Sequence, residues 1–166
     1  MKKLALAAAL LAALPAWADR DIIIETALTG FEEVPSVSTR ARGEFFLRID
    51  GSGQYVNYRL SFSNLQGQVR QAHIHFAQTA VNGPIVIWLC GTSFNPGPEG
   101  TQPCPQSGTV SGIITSSNVL AAPATQLLAA GELSEMIAAM RAGAAYVNVH
   151  SDLSPGGEIR GQIGRQ

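Results

Sequence analysis

The stretch "VRQAHIHFAQTAVNGPIVIWLC" (residues 69–90) contains two runs of strand-forming residues on either side of a turn. The first run, 69–77, and the second, 84–90, are rich in β-branched and aromatic side chains, whereas "QTAVNG" between them has the composition of a turn. Two strands are therefore predicted here. The first strand also holds two of the three histidines of the chain.

Strand patterns recur through most of the chain, at 21–28, 43–50, 55–65, 107–115, 144–151 and 157–163, giving about eight strands. The segment 116–143 differs because it is rich in Ala, Leu and Met. Leu133, Ile137 and Met140 fall there at helical spacing, with Ser134 as a candidate cap and Gly143 as the stop. The predicted fold is all-β: an antiparallel Greek-key sandwich or flattened barrel, with one or two short helices in a crossover.

The first 18 residues have the pattern of a signal peptide. Lys2 and Lys3 precede an apolar run over 4–14, and Ala16 and Ala18 occupy the small-residue positions of a cleavage site. The apolar run is too short to span a bilayer stably, and no later segment is long and apolar enough. We expect a signal peptide at 1–18, one domain at 19–166 and a periplasmic or secreted location.

The charge balance argues against a nucleic-acid partner. Cleavage after Ala18 would remove both lysines and leave nine arginines against twelve acidic residues, a formal charge of about −3. Binding to phosphates needs clustered basic residues, which this sequence lacks.

Cys90 and Cys104 enclose a loop with several prolines and glycines. In an oxidising compartment two such thiols usually form a disulfide bond. The alternative, which the spacing leaves open, is that the two cysteines bind a metal ion.

The histidines share one side of their strands. Because side chains alternate, His73 and His75 lie opposite Ala72, Ile74 and Phe76, and they point away from the main core. His150 likewise lies opposite the apolar residues of 144–151, on the same face as Asn148. The short loop to 157–163 predicts a hairpin that brings Glu158 and Arg160 near Asn148 and His150.

Two interpretations of the histidines remain. They are separate surface residues that hydrogen-bond to neighbours such as Asp152 or Glu158, or they form one copper or zinc site. In the second case Asp152, Glu158, Asn148 and Arg160 surround the ligands, and the ring nitrogens should lie within about 3 to 5 Å of one another, since each ligand is ~2 Å from a shared ion.

Three stretches resemble the CHRD domain, a family named after chordin: "LTGFEEVPSVSTRARGEF", "AHIHFAQTAVNGPIVIWLC" and "AAMRAGAAYVNVHSDLSPGGEIRGQI". The resemblance covers nearly all of 19–166 and implies an immunoglobulin-like or related all-β fold. "HIH" at 73–75 and "NVHSDLSPGGEIRGQI" at 148–163 are also similar to the metal-binding strands of copper–zinc superoxide dismutases. That similarity places His73, His75 and His150 as copper ligands and Asp152 beside them, but no further histidine exists to bridge to a zinc ion.

We therefore expect a non-enzymatic exported CHRD-domain protein that binds copper or zinc, or alternatively a protein–protein interaction or structural module. Nucleophilic catalysis is disfavoured because Ser151 and its neighbour His150 point to opposite faces of a strand. Glu32 and Glu33 lie in a predicted loop, where packing or capping is the expected role.

The mature protein should begin at Asp19, because Ala16 and Ala18 meet the small-residue requirement for cleavage. Intact-mass measurement of the exported protein gives the result directly. A mass that includes residues 1–18 would contradict the prediction.

Overall fold

Eight strands form two antiparallel sheets that pack as a sandwich, as predicted, and they do not close into a barrel. The structure is a computed structural model and describes residues 20–164; the expected signal peptide lies outside the described residues. The strands are β1 (Ile22–Leu28), β2 (Arg42–Ile49), β3 (Val56–Ser63), β4 (Val69–Phe76), β5 (Ile85–Gly91), β6 (Gly108–Ile114), β7 (Ala145–Ser151) and β8 (Ile159–Ile163).

The first sheet has the strand order β1-β2-β3-β6 and the second has the order β5-β4-β7-β8. Strand alternation places one side of each sheet in the shared core. Phe45 and Leu47 of β2 and Ile74, Val147 and Val149 of the second sheet are fully or almost fully buried there. β4 and β7 are the central strands of the second sheet, so both lie between two hydrogen-bonded neighbours.

A single backbone bridge joins the two sheets at one edge. Thr29 and Arg160 each donate an amide N–H to the carbonyl of the other, with N···O distances of 3.0 Å. The bridge extends the end of β1 alongside β8. It thereby holds the loop after β1 against the outer face of the second sheet.

One α-helix, α1 (Leu133–Ala142), lies in the crossover between β6 and β7. It begins after Glu132, so the candidate cap Ser134 lies inside its first turn instead. Gly143 ends the helix as predicted, in a left-handed conformation with φ 76°. Short 3-10 turns occupy Gly30–Glu32, Ser116–Asn118 and Ala124–Gln126.

Cys90 and Cys104 form the predicted disulfide bond, with their Cα atoms 4.9 Å apart. The bond connects the end of β5 to the far side of the Pro- and Gly-rich loop. The loop is held further by the Cys104 amide, which donates to the Gly91 carbonyl at 2.8 Å. Both thiols are thus used, and neither serves as a metal ligand.

Among residues 20–164, no helix has the length and apolar character needed to cross a membrane.

Replacing both Cys90 and Cys104 with Ser should lower the free energy of unfolding by about 3 kcal/mol, because the unfolded chain then gains the freedom that the closed loop denied it. Urea denaturation of oxidised wild type and of the double variant measures the difference. Wild type treated with reductant serves as the matched comparison. Equal stability of the two proteins would contradict a structural role for the bond.

Candidate metal centre

The outer face of the second sheet is buried under loops instead of facing water. His73 is fully buried, and His75 and His150 expose only 6% and 5% of their surface. Polar neighbours on the same face are buried to a similar degree: Tyr146, Asn148, Arg160 and Gln162. The interpretation of the histidines as surface residues is therefore wrong, although the predicted direction of their side chains is right.

Pairing of β4 with β7 brings the three imidazoles together. His73 lies opposite Asn148. His75 lies two residues beyond His73 on β4, and His150 lies two residues beyond Asn148 on β7, toward the other end of the pair. One ring nitrogen from each histidine lies within 4.8 Å of those of the other two. The predicted convergence is confirmed, and the geometry allows the three nitrogens to share one ion after a small inward movement.

Two contacts fix the orientation of the His75 ring, a hydrogen bond at its edge and a stacked aromatic ring on its face. Its Nδ1 atom donates to the Gly83 carbonyl at 2.9 Å, and its ring stacks on Tyr146 with centroids 4.5 Å apart and planes within 2°. The Arg160 guanidinium in turn lies 3.4 Å from the centroid of the Tyr146 ring. The Tyr146 ring thus contacts both the His75 imidazole and the Arg160 guanidinium.

His150 is oriented in the same manner, because its Nδ1 donates to the Pro155 carbonyl at 2.9 Å. His73 differs: neither of its ring nitrogens has a hydrogen-bond partner, although the side chain is fully buried. Its ring packs edge-on against Trp88, with centroids 4.5 Å apart. A buried nitrogen without a partner costs roughly 1–3 kcal/mol, and the hydrogen bonds within the described residues do not offset this cost.

Asn148 lies between the rings. Its Oδ1 atom is 3.0 Å from His75 Nε2 and 2.9 Å from His150 Nε2. Its Nδ2 atom is turned toward the Glu33 carboxyl group, and both pack against Gly157, where an added Cβ would overlap the carboxylate and lie 2.7 Å from Nδ2. Only glycine fits at that position, which also has φ 128°.

The two carboxylates that we expected beside the rings bind elsewhere. Glu158 accepts hydrogen bonds from the Thr39 hydroxyl and the Gln66 amide, each at 2.7 Å. Asp152 accepts from the Gln68 amide at 2.7 Å, close to Arg70. Both carboxylates therefore hold loops in place, and the backbone carbonyls of Gly83 and Pro155 orient two of the imidazoles instead.

Glu33 is the acidic group that approaches the cluster, and sequence reasoning had assigned it to packing or capping. Its side chain is 5% exposed, and Oε1 has no hydrogen-bond partner. The 3-10 turn and the bridge at Thr29 bring it over the second sheet. The signal available in the sequence was its place in "LTGFEEVP", one of the stretches that carry the family resemblance.

Burial keeps the imidazoles neutral. It lowers the pKa of His73 to about 2, helped by the nearby His150 and His75, and lowers that of His150 to about 4. The pKa of His75 is lowered by burial as well. Burial also raises the pKa of Glu33 to about 7, against the opposing charge of Arg160. Neutral imidazoles are the form that binds metal ions.

The family profile of the CHRD domain matches residues 24–163. The match includes all eight strands from the third residue of β1 onward, and it includes the three histidines, Asn148 and Glu33. No curated protein and no solved structure matches the chain significantly.

We expect the metal-free protein to lose stability as the pH falls from about 6.5 to 4. Unfolded histidines take up protons in this range, whereas the buried rings do not, so acid favours the unfolded state. Glu33 has the opposite effect on stability between its pKa in the unfolded chain and its raised pKa of about 7, because the folded state keeps the carboxyl proton in this range. The effect of three imidazole rings on the free energy of unfolding should exceed that of one carboxyl group.

Melting temperatures of chelator-treated protein across this pH range provide the measurement. Glu33→Gln removes the opposing group, and the pH dependence should then become steeper. A melting temperature that stays constant between pH 6.5 and 4 would contradict the assignment of neutral, buried rings.

Proposed function

Because the chain belongs to the CHRD-domain family, we propose that it is an exported, non-enzymatic binding module that holds one copper or zinc ion through His73, His75 and His150. The observation that carries the proposal is the convergence of three buried ring nitrogens within 4.8 Å, one of them on a histidine without any hydrogen-bond partner.

The ligand set favours copper or zinc over Ca²⁺ and Mg²⁺. Neutral imidazoles bind both metals well, whereas Ca²⁺ and Mg²⁺ prefer oxygen ligands. A shared ion ~2 Å from each nitrogen requires the nitrogens to lie within roughly 4 Å of one another. Small ring movements achieve this from the observed spacing. Backbone carbonyls that accept from Nδ1 of His75 and His150 leave Nε2 of both rings free for the ion.

Export is supported by two independent features. Residues 1–18 have the pattern of a signal peptide, and Cys90 and Cys104 are bonded, as is usual in oxidising compartments. We therefore place the protein in the periplasm or outside the cell. A binding module there would meet metal ions without the competition from cytosolic thiols.

A protein–protein interaction module is the second candidate. Loops on a rigid sandwich often carry contact surfaces, and Phe94, in the loop closed by the disulfide bond, is 74% exposed. Phe31 and Leu153, on two loops beside the histidine face, expose 68% and 69%. Binding of a protein by these loops does not require the histidines, which separates the two functions by experiment.

Metal-free protein without a histidine tag should bind one equivalent of Cu²⁺ or Zn²⁺. Replacing any one of His73, His75 or His150 with Ala should weaken binding roughly 100-fold or more, because each ring supplies one of three nitrogens. Calorimetric titration gives the stoichiometry. The fluorescence of Trp88, the only tryptophan in 19–166 and 4.5 Å from His73, reports the ion independently.

Gln71→Ala is the matched control, since Gln71 shares the strand and the face of His73 but is not in the cluster. It should bind the ion as wild type does. Equal binding by all the variants, or no binding by wild type, would reject the metal site and leave the interaction module as the better function.

A further inference from the structure

Asn148 brings an oxygen lone pair to the point where the imidazole lone pairs meet. Nδ1 of His75 and Nδ1 of His150 each face a backbone carbonyl, which can only accept, so the single proton of each neutral ring belongs on Nδ1. Nε2 of both rings then carries a lone pair. Each of these lone pairs lies within 3.0 Å of Asn148 Oδ1, which is also an acceptor.

The lone pairs on Oδ1 and on the two Nε2 atoms repel one another unless a cation lies among them. His73 adds a further nitrogen without a partner in the same space. Three nitrogens and one oxygen therefore converge, and the contacts of 2.9 and 3.0 Å between Oδ1 and the rings approach the distance between neighbouring ligands about 2 Å from one ion.

Resting on the metal site proposed above, we propose that Asn148 Oδ1 is the fourth ligand of the ion and that Glu33 holds the carboxamide in the binding orientation. Either end of a carboxamide can point inward, and only its surroundings decide which one does. The Glu33 carboxyl group lies beside Nδ2, since both groups pack against Gly157, and a carboxyl oxygen accepts a hydrogen bond from an amide N–H. It therefore keeps the N–H groups outward and the oxygen on the ion.

This assignment makes the site a closed one with three nitrogens and one oxygen. A closed four-coordinate site leaves no position for water or substrate, which is typical of sites that hold a metal and not of those that use it in catalysis. The opposite arrangement, with Nδ2 directed at both rings, would satisfy the rings by hydrogen bonds and would make Asn148 a barrier to the ion. The two arrangements predict opposite effects of removing the side chain.

The test compares Cu²⁺ binding by wild type, Asn148→Ala, Asn148→Asp and Glu33→Gln, and measures water-proton relaxation of each copper form. Wild type should show little relaxation from water bound to copper, because Oδ1 fills the fourth position. Asn148→Ala should bind roughly 10- to 100-fold more weakly and relax water strongly, since water takes the vacated position. Asn148→Asp retains the oxygen and should relax water as little as wild type does.

Glu33→Gln keeps the size of the side chain but no longer specifies which end of Asn148 faces the ion. It should weaken Cu²⁺ binding roughly 10-fold and raise the relaxation part of the way to that of Asn148→Ala. Gln162→Ala controls for the loss of a buried amide, because Gln162 lies on the same face and hydrogen-bonds to the Ala77 and Gly143 carbonyls. It should leave both quantities unchanged.

Unchanged or tighter Cu²⁺ binding by Asn148→Ala, or relaxation equal to wild type, would overturn the fourth-ligand assignment while leaving the three-histidine site intact. If Asn148→Ala does not fold, strong relaxation by the copper form of Asn148→Asp would overturn it equally. Failure of wild type to bind Cu²⁺ and Zn²⁺ would instead reject the metal site itself.

Discussion

The antiparallel pairing of β4 with β7 is the constraint on which the rest of the structure depends. It sets His73 opposite Asn148 and places the apolar Ile74 and Val147 together on the other side of the sheet. A shift of one residue would turn the imidazoles into the core and expose the apolar side chains. The hydrophobic core thereby fixes the positions of the histidines and Asn148 on the opposite face of the sheet.

The fold class and the face on which each histidine lies were predictable from local sequence, because both follow from strand alternation. Convergence of the histidines also requires that β4 and β7 be neighbours, which alternation alone does not show. The period of two assigned Ile74 and Val149 to the core and His73 and His150 to the opposite face without any knowledge of strand neighbours. The short loop before Glu158 predicted that the last two strands pair as a hairpin, and this is confirmed. The prediction of Ser134 as the cap is wrong because the helix begins two residues earlier, with Glu132 at the N-cap position.

Burial of the outer face could not be predicted in that way. It results from loops that are distant in sequence, and the alternation of apolar and polar residues in a strand does not predict where a loop will lie. Glu33 reaches the cluster from the connection between β1 and β2, while Gly83 and Pro155 supply carbonyls from two other connections. Asp152 and Glu158, which are near His150 in sequence, bind loop backbone instead. Proximity along the chain therefore did not predict which acidic group approaches the cluster.

The loops over the histidine face also govern how quickly the cluster exchanges with solvent. Asn82 Nδ2 donates to the Val34 carbonyl at 2.9 Å and joins two of these loops, and the Pro155 carbonyl holds a third one to His150. Water cannot reach His73 until these loop contacts open, since the residue is fully buried. Exchange of the buried rings with solvent is therefore governed by how often the loops open locally, and an ion bound there would leave no faster than that opening.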